Sequence, residues 1–198
     1  MNTAFHKLVL ASNNEGKCRE FAQLLAPFGI EIVSQASLGV TEVDEPHVTF
    51  IENAIAKARH ASRQTGLPAL ADDSGLCVDA FNGAPGVLSA RYAGEPKSDA
   101  RNNALLIERL QGAMERSAYY VCVLVLTRYA NDPAPLTAFG RWFGEIIDAP
   151  RGENGFGYDP YFLLPDGRTA AELSPEEKNA VSHRGKAVRR MIAELREI

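Results

Sequence analysis

Two adjacent acidic residues, Asp72 and Asp73, follow a short apolar segment, residues 68–71, that we predict to be a buried strand. Two carboxylates at the end of a buried strand repel each other and are poorly solvated, so they need a cation nearby. Adjacent strand residues point to opposite faces, so one carboxylate would bind a metal ion while the other supports it. Hard oxygen ligands suit Mg²⁺, which also binds substrate phosphates. An Asx turn that caps the following loop is the alternative interpretation.

A second segment suited to chemistry is Ser12-Asn13-Asn14-Glu15-Gly16-Lys17, between a predicted strand at 7–11 and a helix. The free N–H groups and the positive dipole end of a helix N-terminus favour an anion, and Lys17 adds a cation. The segment is not a Walker A loop, because the first glycine is absent and Cys18 follows Lys17 in place of Ser or Thr. It predicts a phosphate site, with a helix cap and a surface lysine as the alternative.

The acidic residues Asp44 and Glu45 precede a helix that carries Lys57. This helix is predicted from the capping-box pattern Thr49-Phe50-Ile51-Glu52, in which the first and last side chains bond to backbone N–H groups. If the acidic stretch folds next to Asp73, it supplies a further carboxylate for the same metal ion. A solvated loop is the alternative.

Aromatic and basic residues further along the chain suit recognition of a nucleoside. Phe156 lies between two glycines in the segment 155–160, where the open backbone leaves room for its ring to stack on a planar base. Lys178, His183 and Arg184 place three hydrogen-bond donors within seven residues. The alternatives are a tight turn with a core phenylalanine and a basic, solvated helix end.

The elements that position these residues alternate between strands and helices. Strands are predicted at 7–11, 30–33, 68–71, 119–129, 136–147 and 161–164, and residues 76–80 are predicted to continue extended. Helices follow residue 17 and the predicted caps Thr49, Ser98 and Ser174, and the last helix breaks near 182–185. The two long strands flank a turn at 131–133 and are predicted to pair antiparallel. This order predicts an α/β fold with a mixed β-sheet flanked by helices. No linker is visible, so we expect a single domain over residues 1–198.

Composition narrows the class of protein. The 198 residues are 45% hydrophobic with a net charge of −4, which is typical of a globular domain and argues against an RNA-binding module. The longest apolar run, 121–126, is too short to cross a bilayer, and residues 1–7 lack the apolar segment of a signal peptide. Three dispersed cysteines, Cys18, Cys77 and Cys122, fit no zinc motif and suit reduced thiols. We expect a cytoplasmic protein that binds neither nucleic acid nor membranes.

Six segments of the chain together resemble the inosine/xanthosine triphosphate pyrophosphatase family, the nonstandard purine nucleoside triphosphate pyrophosphatases. The segments run from Ser12 to Gly185 and are SNNEGK, TFIENAIAKA, ADDSGL, GAPGVLSARYAG, GFGYDPYF and AELSPEEKNAVSHRG. One such segment is a weak signal, but six linked motifs in the family's order are highly specific. The chain departs from the family at one point, because Asp44-Glu45 stands where two glutamates are common.

The resemblance implies a role for each matching residue. Asp73 is expected to be the general base, and the metal ligands are expected among Asp73, Asp72, Asp44 and Glu45. Phosphate binding is expected of Ser12, Asn13, Asn14, Glu15, Gly16, Lys17, Lys57 and Ser74. Nucleoside binding is expected of Phe156, Gly157, Tyr158, Asp159, Lys178, His183 and Arg184.

The same resemblance implies an enzyme that hydrolyses ITP, dITP and XTP to the monophosphate and pyrophosphate, and so cleanses the nucleotide pool. It implies Mg²⁺ as cofactor, with Mn²⁺ as a substitute, an elongated fold of two lobes with the active site in the cleft, and a homodimer. Water would attack the α-phosphorus in line, and hydrogen-bond donors would select bases that present an O6 acceptor. A related pyrophosphatase acting on modified pyrimidine nucleotides and a non-catalytic nucleotide-binding protein are the alternatives.

Overall fold

The computed structural model describes residues 5–197 of the chain. The strands are β1 (Lys7–Leu10), β2 (Glu31–Ser34), β3 (Ala69–Val78), β4 (Ser117–Thr127), β5 (Leu136–Ile146) and β6 (Phe162–Leu163). The α-helices are α1 (Glu15–Leu25), α2 (Phe50–Thr65), α3 (Asp99–Arg109), α4 (Pro175–Val181) and α5 (His183–Leu195). The strands form one six-stranded sheet in the order β2-β1-β3-β4-β5-β6.

The sheet is mixed, which confirms the predicted α/β fold class. β1 pairs in parallel with β2, where Leu8 lies opposite Ile32, and with β3, where Val9 lies opposite Ala69. β5 pairs antiparallel with β6. β4 and β5 are neighbours joined by residues 128–135. A parallel pair needs a longer crossover, so β4 and β5 pair antiparallel, as their sequence predicts.

The chain divides into two compact units, of which unit 1 contains residues 1–73, 122–140 and 184–198. Its core is formed by apolar side chains of β1, α1, β4 and α5, among them Leu10, Phe21, Leu124 and Met191. Each buried side chain of this size stabilises the fold by roughly 1.5–3 kcal/mol relative to exposure. This burial holds α1 and α5 against β1 and β4.

Unit 2 contains residues 74–121 and 141–183, and its core is rich in aromatic rings. Tyr120 and Phe162 lie with ring centroids 4.7 Å apart, and Trp142 packs 5.4 Å from Phe162. Gly144 of β5 is required where β6 approaches, because a Cβ there would lie 2.4 Å from the Leu163 carbonyl oxygen. The close approach of β6 therefore depends on the missing side chain of Gly144.

Three helix starts agree closely with the sequence, whereas α1 begins at Glu15, inside the segment 12–17 that was predicted to precede the helix. The side chains of Thr49, Ser98 and Ser174 each accept a hydrogen bond from the backbone N–H three residues further on, at the starts of α2, α3 and α4. α4 ends at Val181 and α5 begins at His183, which confirms the predicted break in the last helix. These features are local in sequence, which is why the pattern predicts them.

Two strand predictions were wrong in extent. The strand predicted at 68–71 continues through Asp72 and Asp73 to the end of β3, because both carboxylates have cationic partners that satisfy them inside a strand. The Asx-turn alternative is therefore wrong. The strand predicted at 161–164 is shorter, since only β6 pairs in the sheet.

Among residues 5–197, every helix is too short or too polar to span a lipid bilayer. The expected single domain over residues 1–198 and the expected cleft between two lobes stay predictions. Residues 1–4, within the stretch where we expect no signal peptide, and residue 198 lie outside the described residues.

Candidate active site

Asn14 caps the N-terminus of α1. Its Oδ1 accepts a hydrogen bond from the Lys17 backbone N–H at 3.0 Å, and its own N–H donates to Ser12 Oγ at 3.2 Å. Glu15 and Gly16 occupy the first turn, where backbone N–H groups have no acceptor within the helix. Those groups and the positive end of the helix dipole suit this N-terminus to a phosphate.

Asn13 stabilises the same loop through its side-chain amide. Its Nδ2 donates to Glu42 Oε1 at 2.8 Å, and its Oδ1 accepts from Gln35 Nε2 at 3.0 Å. Gln35 is buried, so the loop is tied to the interior of unit 1. These contacts give the Asn13 side chain a structural role, and its predicted phosphate contact stays a prediction.

Asp72 is fully buried on β3 and contacts two cations. Its Oδ2 lies 2.5 Å from Lys17 Nζ and 3.7 Å from Arg184 Nη2, and the Cys122 thiol donates to its Oδ1 at 3.1 Å. Arg184 also pairs with Glu20. Burial raises the pKa of Asp72, but the charges of Lys17 and Arg184 lower it more, so this pKa lies well below the usual range. The carboxylate is therefore ionised and holds the Lys17 ammonium in place.

Asp73, the next residue of β3, has a different environment. Its Oδ1 accepts from Lys57 Nζ at 3.0 Å and its Oδ2 from Asn53 Nδ2 at 3.3 Å, both on α2. Burial raises the pKa of Asp73, the charges of Lys57 and Lys17 lower it, and Glu45 raises it again, so that the net pKa is raised. A carboxylate with a raised pKa accepts a proton more readily near neutral pH, which suits a general base.

Lys57 joins Asp73 to the acidic stretch before α2. Its Nζ lies 3.2 Å from Glu45 Oε1 and 3.0 Å from Asp73 Oδ1. Burial lowers the pKa of Lys57, but the charges of Asp73 and Glu45 raise it more, so the ammonium stays charged. The structure thus brings three predicted site residues together, although the stretch around Glu45 is an irregular and mostly exposed loop.

Glu45 and Asp73 fit a magnesium ion that is bound together with a substrate. Both carboxylates contact one ammonium, and Mg²⁺ is commonly held by one or two carboxylates plus substrate phosphates and water. Within residues 5–197 no group of three or more His, Cys, Asp or Glu side chains is arranged to hold a metal ion, so phosphate and water oxygens would complete the coordination. The metal roles of Asp44, which is exposed, and of Asp72, which contacts cations, stay predictions.

The loop from Gly155 to Asp159 lies in unit 2 and is held by Asp159. The Asp159 Oδ2 accepts from the Phe156 N–H at 2.9 Å and from Lys178 Nζ at 2.7 Å. The same ammonium lies 4.9 Å from the centroid of the Phe156 ring. Gly155 is required in this loop, because its φ is +79° and a Cβ would lie 2.1 Å from Asp159 Oδ2. Asp159 therefore keeps a flat apolar ring and a hydrogen-bond donor side by side.

Gly157 and Tyr158 connect the same loop to its surroundings. The Gly157 N–H donates to Asp99 Oδ2 at 2.8 Å, and the Gly157 carbonyl accepts from Asn103 Nδ2 at 2.9 Å. The buried Tyr158 hydroxyl donates to the Ser89 carbonyl at 2.8 Å, and burial raises the pKa of this hydroxyl. The Tyr158 side chain thus has a structural role, and its predicted nucleoside contact stays a prediction.

His183 and Arg184 are the first residues of α5, and the division of the chain falls between them. His183 is buried in unit 2 and stacks on Tyr120 with ring centroids 4.7 Å apart. Arg184 is buried in unit 1, where it pairs with Glu20. Ser74 is partly exposed on β3. The nucleoside roles of His183 and Arg184 and the phosphate contact of Ser74 stay predictions.

Five residues hold site residues in place and were not singled out from the sequence: Glu20, Asn53, Cys122, Asp99 and Asn103. Asn53 lies in the segment TFIENA, so its motif did carry a signal. Asp99 and Asn103 both contact Gly157, which lies 58 positions after Asp99 and 54 positions after Asn103. A sequence pattern that spans a few neighbouring residues cannot predict a contact over that separation.

Comparison with known proteins identifies the family. A family model described as the Ham1 family matches residues 8–194. The chain is 64% identical over 193 residues to a dITP/XTP pyrophosphatase from Nitrosomonas europaea, covering 97% of this chain and 95% of that protein. It is 63% identical over 201 residues to a dITP/XTP pyrophosphatase from Burkholderia pseudomallei, covering 100% of this chain and 97% of that protein. The chain therefore belongs to the Ham1 family, which confirms the resemblance found in its motifs.

Comparison with solved structures supports the same family. The fold matches that of a HAM1 protein from Coxiella burnetii with a TM-score of 0.89 and 51% identity, covering 97% of this chain and 99% of that chain. It also matches a nucleoside-triphosphatase, or dITP/XTP pyrophosphatase, from Mycobacterium abscessus with a TM-score of 0.74 and 45% identity, covering 94% of this chain and 98% of that chain.

Proposed function

We propose that this protein is a nucleoside triphosphate pyrophosphohydrolase that converts ITP, dITP and XTP to the monophosphate and pyrophosphate. Two relatives at 64% and 63% identity carry the name dITP/XTP pyrophosphatase, which supports this substrate class. The proposed hydrolysis is supported above all by one arrangement of side chains around Asp73. Asp73, with a raised pKa, is held by Asn53 and Lys57, and Lys57 also contacts a second carboxylate, Glu45.

Asp73 acts as the general base in this reaction. It takes a proton from water as the water oxygen approaches the α-phosphorus. A bond forms between that oxygen and the α-phosphorus, and the bond to the bridging oxygen opposite breaks in line with it. The electron pair of the broken bond leaves with pyrophosphate. The proton held by Asp73 then returns to solvent.

Positive groups of unit 1 stabilise the charge that grows on the phosphates. Lys17, Lys57 and the N-terminus of α1 supply this charge in fixed positions, so little reorganisation is needed during the reaction. Asp72 keeps the Lys17 ammonium oriented through their 2.5 Å contact. Glu45 and Asp73 would hold Mg²⁺, or Mn²⁺ in its place, and this ion neutralises phosphate charge when it is bound.

Donor groups of unit 2 explain the choice of base. Hypoxanthine and xanthine present an acceptor at O6, whereas adenine presents an amino donor there. Lys178 and His183 provide donors, and Phe156 provides a face for stacking. A site built from donors rejects adenine because buried polar groups would stay unpaired. Guanine also presents an acceptor at O6, so its exclusion depends on its 2-amino group.

The remaining parts of the proposal come from the family resemblance. The protein acts in the cytoplasm as a homodimer and removes these nucleotides before they enter DNA or RNA. Its ligand is the free nucleotide rather than nucleic acid, which fits a net charge of −4.

A nucleotide panel tests the proposed function. Purified protein is incubated with Mg²⁺ and ITP, dITP, XTP, GTP, ATP or dUTP, and the products are separated. Monophosphate and pyrophosphate from the first three, with GTP and ATP nearly unchanged, support the proposal. Diphosphate and orthophosphate would contradict the reaction, and activity confined to dUTP would contradict the substrate class. Binding without turnover would favour a nucleotide-binding protein.

A further inference from the structure

Two side chains of α3 bond to a single residue of the loop that carries Phe156. Asp99 and Asn103 are four positions apart, so they project from the same face of the helix, one turn from each other. Asp99 Oδ2 accepts from the Gly157 N–H at 2.8 Å, and Asn103 Nδ2 donates to the Gly157 carbonyl at 2.9 Å. Both backbone polar groups of Gly157 are therefore fixed from one helix.

The orientation of the Asn103 amide follows from the chemistry of its partner. A carbonyl only accepts hydrogen bonds, so Nδ2 must face Gly157. Asn103 is 8% exposed, and its Oδ1 is buried with no hydrogen-bond partner among residues 5–197. Buried amide groups are nearly always satisfied, and exceptions call for an explanation. Asn103 thus directs its amide donor to Gly157 while its oxygen has no partner among these residues.

Gly157 is a sensitive point of the loop, because it lies directly after Phe156 and has a φ of +65°. A left-handed residue of this kind sets the direction of the chain on either side. The Phe156 N–H is already bonded to Asp159. With Gly157 held by α3, the backbone is fixed on both sides of the Phe156 side chain.

We propose that Asp99 and Asn103 are positioning residues for base selectivity. They hold Gly157, and through it the Phe156 ring beside the Lys178 ammonium, in the arrangement that prefers a base with an O6 acceptor. The inference rests on the proposed function, since it assigns recognition of the base to this loop.

The test measures equilibrium binding to the full-length protein without added metal, so that nothing is hydrolysed. The probes are ITP, ATP and inorganic triphosphate, which has no base. Asn103→Leu removes the donor at similar volume, and Asp99→Ala removes the acceptor. Each variant should lower the ratio of the ATP Kd to the ITP Kd by at least about fivefold, the factor that a hydrogen bond between neutral groups contributes, because the bond of Asp99 involves a carboxylate and contributes no less. The affinity for inorganic triphosphate should not change.

Two further variants separate positioning from a loss of folding. Asp99→Asn keeps an oxygen that can accept from Gly157, and it should retain the wild-type ratio. Glu108→Ala changes an exposed residue of the same helix and should also retain it. Thermal unfolding of every variant checks that it is folded.

Clear outcomes overturn the inference. An unchanged ratio in folded Asn103→Leu and Asp99→Ala contradicts it, and so does an equal loss of affinity for ITP and inorganic triphosphate. Wild-type protein that binds ITP no better than ATP also contradicts it. The proposed function fails separately, if the wild type with Mg²⁺ does not release pyrophosphate from ITP.

Discussion

Asp72 and Asp73 are adjacent on one strand, yet their surroundings give the two carboxylates opposite properties. Burial raises the pKa of both, but Lys17 and Arg184 more than offset burial at Asp72, while at Asp73 the cations do not. Pairs of acids whose environments push their pKa values apart commonly divide the roles of acid–base group and fixed charge. Here Asp73 is suited to move a proton, and Asp72 is suited to hold cations.

Replacing Asp73 by asparagine should abolish most turnover and leave the fold intact. The variant keeps the shape of the side chain but removes the proton acceptor, and general bases typically contribute about 10²–10⁴-fold to rate. We expect kcat for ITP to fall by about that factor, with a midpoint of thermal unfolding close to that of the wild type. Wild-type turnover in Asp73→Asn would contradict the role of Asp73.

Replacing Asp72 by asparagine should, in contrast, lower the stability of the fold. The change leaves the buried Arg184 and the adjacent Lys17 with less opposing charge, and removal of one partner of a buried ion pair costs about 3–5 kcal/mol. Urea unfolding should give a free energy of unfolding lower by about that amount, with Asp73→Asn as the matched control on the same strand. Equal stability of the two variants would contradict this division of roles.

At the residue scale, the sequence indicates that Asp72 and Asp73 need cations but not which ones. Lys17, Arg184 and Lys57 come from three helices, and their distances to β3 depend on how the core packs. The family motif did lead to Asp73 and Lys57, because their types and order are characteristic. It placed Arg184 with the nucleoside, which stays a prediction, and it did not indicate the contacts of Arg184 with Asp72 and Glu20.

At the scale of elements, the loop from Gly155 to Asp159 depends on glycine at two positions for different reasons. A Cβ at Gly155 would collide with Asp159 Oδ2, whereas a Cβ at Gly157 would meet nothing within 4 Å. Both residues have positive φ, which an L side chain adopts at a cost of roughly 1–2 kcal/mol. Only Gly155 combines this cost with a steric clash.

Gly155→Ala should therefore weaken ITP binding more than Gly157→Ala does. The clash displaces Asp159, which holds Phe156 and Lys178, while the second variant adds backbone strain alone. We expect KM for ITP to rise at least about tenfold in Gly155→Ala, since a shift of this kind removes more than one hydrogen bond. Inhibition by inorganic triphosphate should be unchanged in both variants. An equal KM in the two variants would contradict a specific role for the Asp159 contact.

Asp132, in the turn between β4 and β5, should make the stability of the protein depend on pH. Buried Asp132 accepts from the Arg128 backbone N–H at 3.1 Å, from Arg128 Nε at 2.8 Å and from the Ala134 N–H at 3.0 Å. Hydrogen bonds from Arg128 lower the pKa of Asp132 well below its usual range. A lowered folded-state pKa stabilises the protein above the unfolded pKa of about 3.9, and this contribution is lost as the pH falls further.

Asp132→Asn should accordingly be less stable than the wild type at pH 7. The difference in free energy of unfolding should shrink as the pH falls below about 4, because protonation removes the charge from the wild-type carboxyl. Urea unfolding at a series of pH values measures this difference. A difference that stays constant down to pH 2 would show that the charge of Asp132 contributes nothing.

Elements differ in how far local sequence determines them. The starts of α2, α3 and α4 were predictable because a capping side chain bonds to an N–H only three residues away. The length of β3 was not predictable in this way, because the polar residues Asp72 and Asp73 resemble the end of a strand when only neighbouring residues are considered. Only ion pairs with distant residues allow the strand to continue.

At the scale of the whole molecule, the order of elements and the family motifs already specify an α/β fold with a mixed sheet. The family resemblance implies two lobes, but the sequence does not reveal where the chain divides, since the boundaries of the two compact units fall inside β3, β4, β5 and α5. Lys17 and Lys57, which we propose bind phosphate, belong to unit 1, and Phe156 and Lys178, which we propose bind the base, belong to unit 2. Whether one strand contributes to two cores depends on three-dimensional packing. The pattern of apolar residues along that strand does not show it.

Hydrolysis of ITP in water enriched in oxygen-18 tests the central claim most directly. If water activated by Asp73 attacks the α-phosphorus, one heavy oxygen appears in the monophosphate and none in pyrophosphate, as mass spectrometry of the two products would show. Heavy oxygen in pyrophosphate would mean that water attacks the β-phosphorus, and the proposed reaction would be contradicted.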